Sequence, residues 1–324
     1  MLKTNGHIVV AGSLNLDYIA SVARLPEPGQ TVSAPSLIRR FGGKGANQAM
    51  AAARQGSKVS MIGCVGADDA GAAYRERLRA NRIDATGVST TTRALTGTAL
   101  IAVDARGENM IIVAPGANGE LKPSAIKLMA NVDILLLQQE IPMPCVIDAV
   151  RKANRAAVPV LFNPSPLAGG FPWGELKLDT VIVNGGEARS IFKMSVEAMA
   201  ASLPRWRRTL VKYNINRLII TQGAQSTLCL DPAVFLEVPT LPVKPVDTVG
   251  AGDAFAGALA AGRAQGLEIL TAIQRANCAG ALATLSPGAQ EAIPHRRAVD
   301  SALLVLLGQK AAITQRKGGK HQQI

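Results

Sequence analysis

Residues 245–262 read PVDTVGAGDAFAGALAAG, in which β-branched residues lead into three small ones, Gly250, Ala251 and Gly252. Apolar positions at helical spacing follow, at Ala254, Phe255, Ala258 and Leu259. Such a segment carries an extended stretch into a helix through a turn with almost no side chains. The unsatisfied amides and the positive end of the helix then form a seat for an anion. Asp253 stands directly behind that seat. A carboxylate there would repel a phosphate unless a hydroxyl or a cation came between them, so its position suits a group that accepts the proton of an attacking hydroxyl. The alternative is an acidic residue in the first turn of a helix, serving only as a cap.

The rest of the chain alternates. His7 to Gly12 reads as a buried strand followed by polar Ser13, Asn15 and Asp17, and Ala46 to Gln55 as an alanine-rich helix. Lys58 to Gly63 reads as a strand and Ala70 to Asn81 as an amphipathic helix. Strands are expected at 134–138, 158–162, 180–183 and 218–222, and helices at 145–155, 252–265 and 269–286. Two segments break the alternation. LPEPGQTVSAPSLIRRF is interrupted by Pro26, Pro28 and Pro35, and the runs TALIAVD and NMIIVAP are spaced as a β-hairpin. Together they predict a second, smaller sheet beside an α/β core. No GxGxxG follows the first strand and no GxxxxGK[ST] occurs, which sets aside dinucleotide-binding and P-loop designs.

Composition narrows the function classes. The chain has 324 residues, 48% of them hydrophobic and only 3% aromatic, which suits an Ala/Gly-rich α/β enzyme with an ample core. The cysteines, Cys64, Cys145, Cys229 and Cys278, form no CxxC pair, so they read as reduced thiols of a cytoplasmic protein. No apolar run reaches the ~20 residues of a membrane span, and the start lacks a signal-peptide pattern. The formal charge of +12 is dispersed, with clusters only at 205–208 and in the tail. That pattern attracts anionic nucleotides rather than marking a nucleic-acid interface. Residues 1–310 are expected as one domain and 311–324 as a flexible basic tail.

A second glycine-rich segment, FGGKGANQA (41–49), precedes the alanine-rich helix. Alone it could be a tight turn or a phosphate loop. For Asn15 and Asp17 a strand-end turn, and for Glu140 a solvated loop charge, are the plain readings.

Taken in order, GSLNLD, GGKGANQA, GEN followed by PGAN, QQE, FNPSP and VDTVGAGDAF resemble the ribokinase-like (PfkB) carbohydrate kinases over roughly residues 7–300. The resemblance implies Asp253 as catalytic base, with Gly250, Ala251 and Gly252 as anion hole. It implies a sugar pocket of Asn15, Asp17, Gly43, Lys44, Asn47 and Glu140, with D-ribose the preferred acceptor and D-ribose 5-phosphate and ADP the products. ATP and magnesium are implied through Asn184, Glu187, Thr221, Gly223, Ala224 and Gly252, with Asn277 beside the adenine, where the family often has histidine. Potassium is implied as activator through Asp247, Val249, Ala283, Ser286 and Gly288, with Ala292 where a hydroxyl is common. The fold it implies is three-layer α/β/α with a mainly parallel central sheet, in which the irregular segment and the hairpin, about 15–42 and 96–116, would form a β-lid that also pairs two subunits into a homodimer. Deoxyribose, another furanose or a nucleoside stays open as acceptor. A non-catalytic sugar- or nucleotide-binding protein is the competing class.

Overall fold

In the computed structural model, which describes residues 5–317, the central strands are buried on both faces. In β1 (His7–Ala11), Ile8 and Val10 enter one core while Val9 and Ala11 enter the other. Ile134 and Leu136 of β8 (Ile134–Leu137) part from Leu135 and Leu137 in the same way. Alternation at a period of two therefore requires a helical layer on each side.

One layer holds α1 (Lys44–Arg54), α2 (Asp69–Ala80), α6 (Ala251–Ala264), α7 (Ile269–Ala283) and α8 (Arg296–Lys317). The other holds α3 (Met143–Arg155), α4 (Gly185–Phe192) and α5 (Leu203–Lys212). The nine-stranded sheet has the order β13-β12-β11-β10-β9-β8-β1-β4-β5. Its members beyond β1 and β8 are β4 (Lys58–Gly66), β5 (Ile83–Thr91), β9 (Val160–Phe162), β10 (Leu178–Asn184), β11 (Ile215–Thr221), β12 (Thr227–Leu230) and β13 (Phe235–Val238). All pairings are parallel except those of β12 and β13. From β1 the chain builds outward through β4 and β5, then restarts at β8 and builds the other way. The crevice beyond the carboxyl ends of β1 and β8 is thus a topological switch point, where α/β proteins bind ligands.

A separate sheet of order β3-β2-β6-β7 joins β2 (Asn15–Ser21), β3 (Ser36–Gly42), β6 (Gly97–Val103) and β7 (Asn109–Ala114). Asn15 and Asp17 accordingly belong to a second strand rather than to a turn after the first. Asp104 tightens the expected hairpin by accepting from the amides of Arg106 and Glu108 at 2.8 and 3.0 Å. Apolar side chains on one face of this sheet are exposed among the described residues: Leu37 is 65% exposed, Leu100 52% and Ile112 60%.

The fold class expected from the sequence stands, although β5, β12, β13, α4, α5 and α8 are additions to it. β5 is rich in Ser and Thr and has an irregular register against β4, while β12 and β13 have four residues each, too short for a clear periodic signal. Helix α8 continues through Lys317 across Ala311, Ala312 and Gln315, all good helix formers. The remainder of the expected tail, 318–324, lies outside the described residues. Among the described residues, no helix is long and apolar enough to cross a membrane.

Candidate active site

Two helix N-termini converge on the switch point, and neither has a side-chain cap of its own. Helix α1 starts behind Gly43, whose φ of 85° disfavours other residues. Its first amides are satisfied from elsewhere: Glu140 Oε2 accepts from Lys44 N at 2.9 Å, and Ser13 Oγ and carbonyl accept from Gly45 and Ala46. Ser13 Oγ in turn donates to Glu140 at 2.5 Å. Glu140, expected as a sugar contact, thus anchors the start of α1.

Helix α6 starts behind Gly250 at φ 79°. The amide of Ala251 turns back to the Thr248 carbonyl at 3.3 Å, whereas no acceptor among the described residues takes the amides of Gly252 and Asp253. These are the orphan donors of a first helical turn. A Cβ added to Gly252 would meet only open space, so its surface is free to receive a ligand. The amide of Gly250 likewise meets no acceptor among the described residues, so the open amides are those of Gly250, Gly252 and Asp253, two of them within the expected anion hole of residues 250–252.

Asp253 is buried beneath them. Its Oδ2 accepts from Asn47 Nδ2 and its Oδ1 from Gln48 Nε2, both at 2.9 Å. These side chains reach it because α1 and α6 cross at Gly257, where a Cβ would lie 2.5 Å from both Ala51 Cβ and the Gln48 carbonyl. Gln48 is itself held by Gln138 Nε2 at 2.6 Å and bonds Asn163 Oδ1 at 3.0 Å. The carboxylate is fixed by neutral donors and keeps lone pairs for a further proton.

A cavity of about 220 Å³ opens in front of it, lined in part by Lys44, Asn184, Glu187, Thr248, Gly252 and Asp253. Lys44, expected beside the sugar, lines this cavity together with Asp253 and Glu187. The negative charge of Asp253, with smaller contributions from Glu140 and Glu187, holds its ammonium above the ordinary lysine range despite opposing burial. Asn184 and Glu187 form a reciprocal capping box at the start of α4. That box occupies Glu187 Oε2 and Asn184 Oδ1, while Glu187 Oε1 has no hydrogen-bond partner among the described residues.

Behind this lies a second cavity of about 480 Å³, which shares Thr221, Thr248 and Gly252 with the first and also touches Gly223, Ala224 and Asn277. Gly223 has φ 61° and open space where a Cβ would be. Asn277 is buried, and its amide accepts from Thr227 at 2.6 Å and donates to the carbonyls of Val238 and Pro239. Its polar groups thus hold β12 and β13 in place, leaving only its surface to a ligand.

Asp17 lies on β2, beside the residue that leads through Gly43 into α1. Its carboxylate packs on Gly42, where any Cβ would overlap it, and its buried Oδ1 has no hydrogen-bond partner in the structure. Burial, reinforced by Glu140 and Glu291, raises its pKa to about 7. A buried unpaired carboxylate is a place prepared for a hydroxyl donor. Asn15, which starts the same strand, accepts at its Oδ1 from Asn118 Nδ2 at 2.7 Å, and its own NH₂ donates to no acceptor among the described residues.

Asp247 ties two segments together beside Gly250. Its Oδ1 accepts from Val249 N at 3.0 Å and its Oδ2 from Gly288 N at 2.9 Å. Its own amide goes to Thr284, between Ala283 and Ser286. Of the five residues expected around a monovalent cation, Asp247, Val249 and Gly288 are joined directly by these bonds, while Ala283 and Ser286 lie in the segment that Thr284 ties to Asp247. Ala292 offers Gly288 only its amide, at 3.3 Å.

The sequence matches the pfkB family carbohydrate kinases over residues 5–296. The chain belongs to this family. It is similar to ribokinase of Bacillus subtilis, 34% identical over 308 residues that span 92% of this chain and 99% of that protein. It is also similar to deoxyribokinase of Salmonella typhi, 32% identical over 292 residues, 89% of this chain and 95% of that one. Among solved structures it resembles ribokinase of Arabidopsis thaliana complexed with ribose and ATP, with a TM-score of 0.83, 26% identity and coverage of 92% and 99%. The fold is ribokinase-like.

For this carbohydrate kinase, several residues the sequence reading did not single out lie inside strings it did use. Gln48 sits in GGKGANQA, Asn118 in PGAN, Asn163 in FNPSP and Thr248 in DTVGAGD. Their signal was the strings themselves; which member faced the site required the helix phase of α1 and the crossing at Gly257.

Proposed function

We propose that this carbohydrate kinase transfers the γ-phosphoryl group of ATP to the 5-hydroxyl of D-ribose. The observation that carries the reading is Asp253: buried, oriented by two amide donors, and set in the first turn of a helix whose opening amides are free. The hydroxyl proton passes to Asp253 as the oxygen bonds to phosphorus, and the bond from phosphorus to the ADP oxygen breaks in line. The amides of Gly252 and Asp253, with Lys44, stabilise the charge on the transferring group. Magnesium, when bound with the triphosphate, would neutralise phosphate charge there, and the Glu187 carboxylate suits its hydrated form. The second cavity is of a size and composition for a nucleoside, and the orphan Asp17 and the free amide of Asn15 suit ribose hydroxyls. The Arabidopsis protein, complexed with both ribose and ATP, favours the same assignment.

Potassium activation is part of the reading, supported by the junction that Asp247 makes between 247–249 and 284–288. The exposed apolar face of the small sheet supports pairing of two lids into a homodimer. All four cysteines are free and buried, and burial pushes the thiols of Cys145, Cys229 and Cys278 up to about 11, in keeping with work in the cytoplasm. Deoxyribose is the second reading, favoured by the similar level of identity to the Salmonella protein.

The test is ADP release from magnesium ATP with ribose, 2-deoxyribose, fructose and adenosine, in potassium and in lithium, with the phosphorylated position identified by phosphorus NMR. Ribose 5-phosphate formed fastest, and faster in potassium, is expected. Preference for another acceptor overturns the ribose assignment, and equal rates in the two salts overturn the cation site.

A further inference from the structure

A buried side-chain bridge joins the sugar side of the site to the helix start that faces the phosphates. Tyr74, on α2, is fully buried and donates its hydroxyl to the carbonyl of Gly42, the last residue of β3. The same hydroxyl accepts from Gln290 Nε2 at 2.8 Å. Gln290 is also fully buried, and its Oε1 accepts from Arg77 Nε at 2.7 Å. Arg77 lies 4.6 Å above the Phe41 ring and pairs with Glu291 at 3.0 Å, while Phe41 stands edge-on to Tyr74 at 5.0 Å. At the far end, Ala289 is pressed against Gly250: a Cβ there would lie 2.9 Å from the Ala289 Cα and carbonyl oxygen.

The two termini of this bridge matter. Gly42 carries the Asp17 carboxylate against its Cα and leads through Gly43 into α1. Gly250 opens α6, whose first amides face the phosphate cavity. A movement of the small sheet towards a bound sugar would act on the Gly42 carbonyl. Its buried partner must either follow or lose a bond that water cannot replace. Since Tyr74 is held on its other side by Gln290, the displacement passes to the 289–290 segment and so to Gly250. A hydroxyl that donates to one neighbour and accepts from another is required for this, whereas packing alone needs only the ring.

We propose that Tyr74 and Gln290 are positioning residues that couple acceptor binding to the anion-binding turn at Gly250. The inference rests on the kinase reading above, with ribose and ATP as ligands. The coupling is a shared free energy, so each ligand tightens the other by the same factor.

The experiment is calorimetric titration of D-ribose into the whole protein, with and without saturating magnesium and a non-hydrolysable ATP analogue, and the reverse titration. The wild type is expected to show mutual tightening of about fivefold or more. Tyr74→Phe keeps the ring against Phe41 and is expected to bring the factor to within about twofold of unity. Each separate affinity should hold within about twofold, since a residue acting only on stability would move neither the factor nor its reciprocity. Gln290→Met, which cuts the bridge from the other side, should do the same, and the double variant should lose nothing more. If Tyr74→Phe does not fold, Gln290→Met decides alone. A wild-type factor near unity with both ligands bound overturns the inference, as does a wild-type factor in both variants. Failure of the wild type to bind either ligand alone overturns the kinase reading instead, and the single titrations separate the two results.

Discussion

Asp17 should make this protein less stable as pH rises, and replacing it with asparagine should remove that loss. Burial raises its carboxyl from 3.8 to about 7, so between those values the folded state holds a proton that the unfolded chain has released. Stability is then fully present below about pH 4 and falls as pH rises towards 7. Relative to its value below pH 4, folding stability is lower by at most about 4 kcal/mol at pH 8 and by about 2 kcal/mol at pH 5. Relaxation and entry of water reduce both figures, so Asp17→Asn is expected to gain about 1–3 kcal/mol over the wild type at pH 8 and clearly less at pH 5. The assay is urea unfolding of both proteins at pH 5, 6, 7 and 8 without sugar, comparing midpoints at equal slope. A difference that does not grow with pH would refute the argument, because it would mean that Asp17 titrates as an ordinary exposed carboxylate. Binding supplies the opposite sign: hydroxyls that donate to the ionised form favour it, so ribose affinity should rise with pH up to about 7 and collapse in Asp17→Asn.

Gly252→Ala should separate folding from catalysis: the added methyl enters open space and favours the helix by about 0.5–1 kcal/mol, yet it occupies the ligand's approach, so the melting temperature should hold or rise while turnover falls at least about tenfold. Unchanged turnover would remove Gly252 from the phosphate seat. Ile112→Lys places a charge on the exposed face of β7, and light scattering should then report a monomer where the wild type is a dimer; a monomeric wild type would contradict the pairing of lids.

What was legible in the chain followed local chemistry. The α6 turn announced itself because three small residues before a helix have few uses, and the strands of the central sheet because buried parallel strands are nearly continuous apolar runs. The position of Asp17 was readable, but its unpaired state was not, since that depends on Gly42 lying against it from another strand. Glu140 looked like a pocket carboxylate, yet it closes the open end of α1, because Gly43 offers no side chain to do so. Asn277 was read from the nucleotide side, although its amide is spent on β12 and β13, whose short runs gave no warning of the partners it would find. The Tyr74–Gln290 bridge spans 216 positions of sequence and no local pattern encodes it.

The central claim is that Asp253 takes the proton of the sugar hydroxyl, and it is tested most directly by ribose-dependent ADP release from Asp253→Asn, with nucleotide affinity measured on the same preparation. The account predicts that turnover falls by about 10²–10⁴-fold while magnesium ATP binds with near wild-type affinity, because the amides of the α6 turn remain. Turnover within a fewfold of the wild type would contradict it and return Asp253 to the role of a helix-start acid.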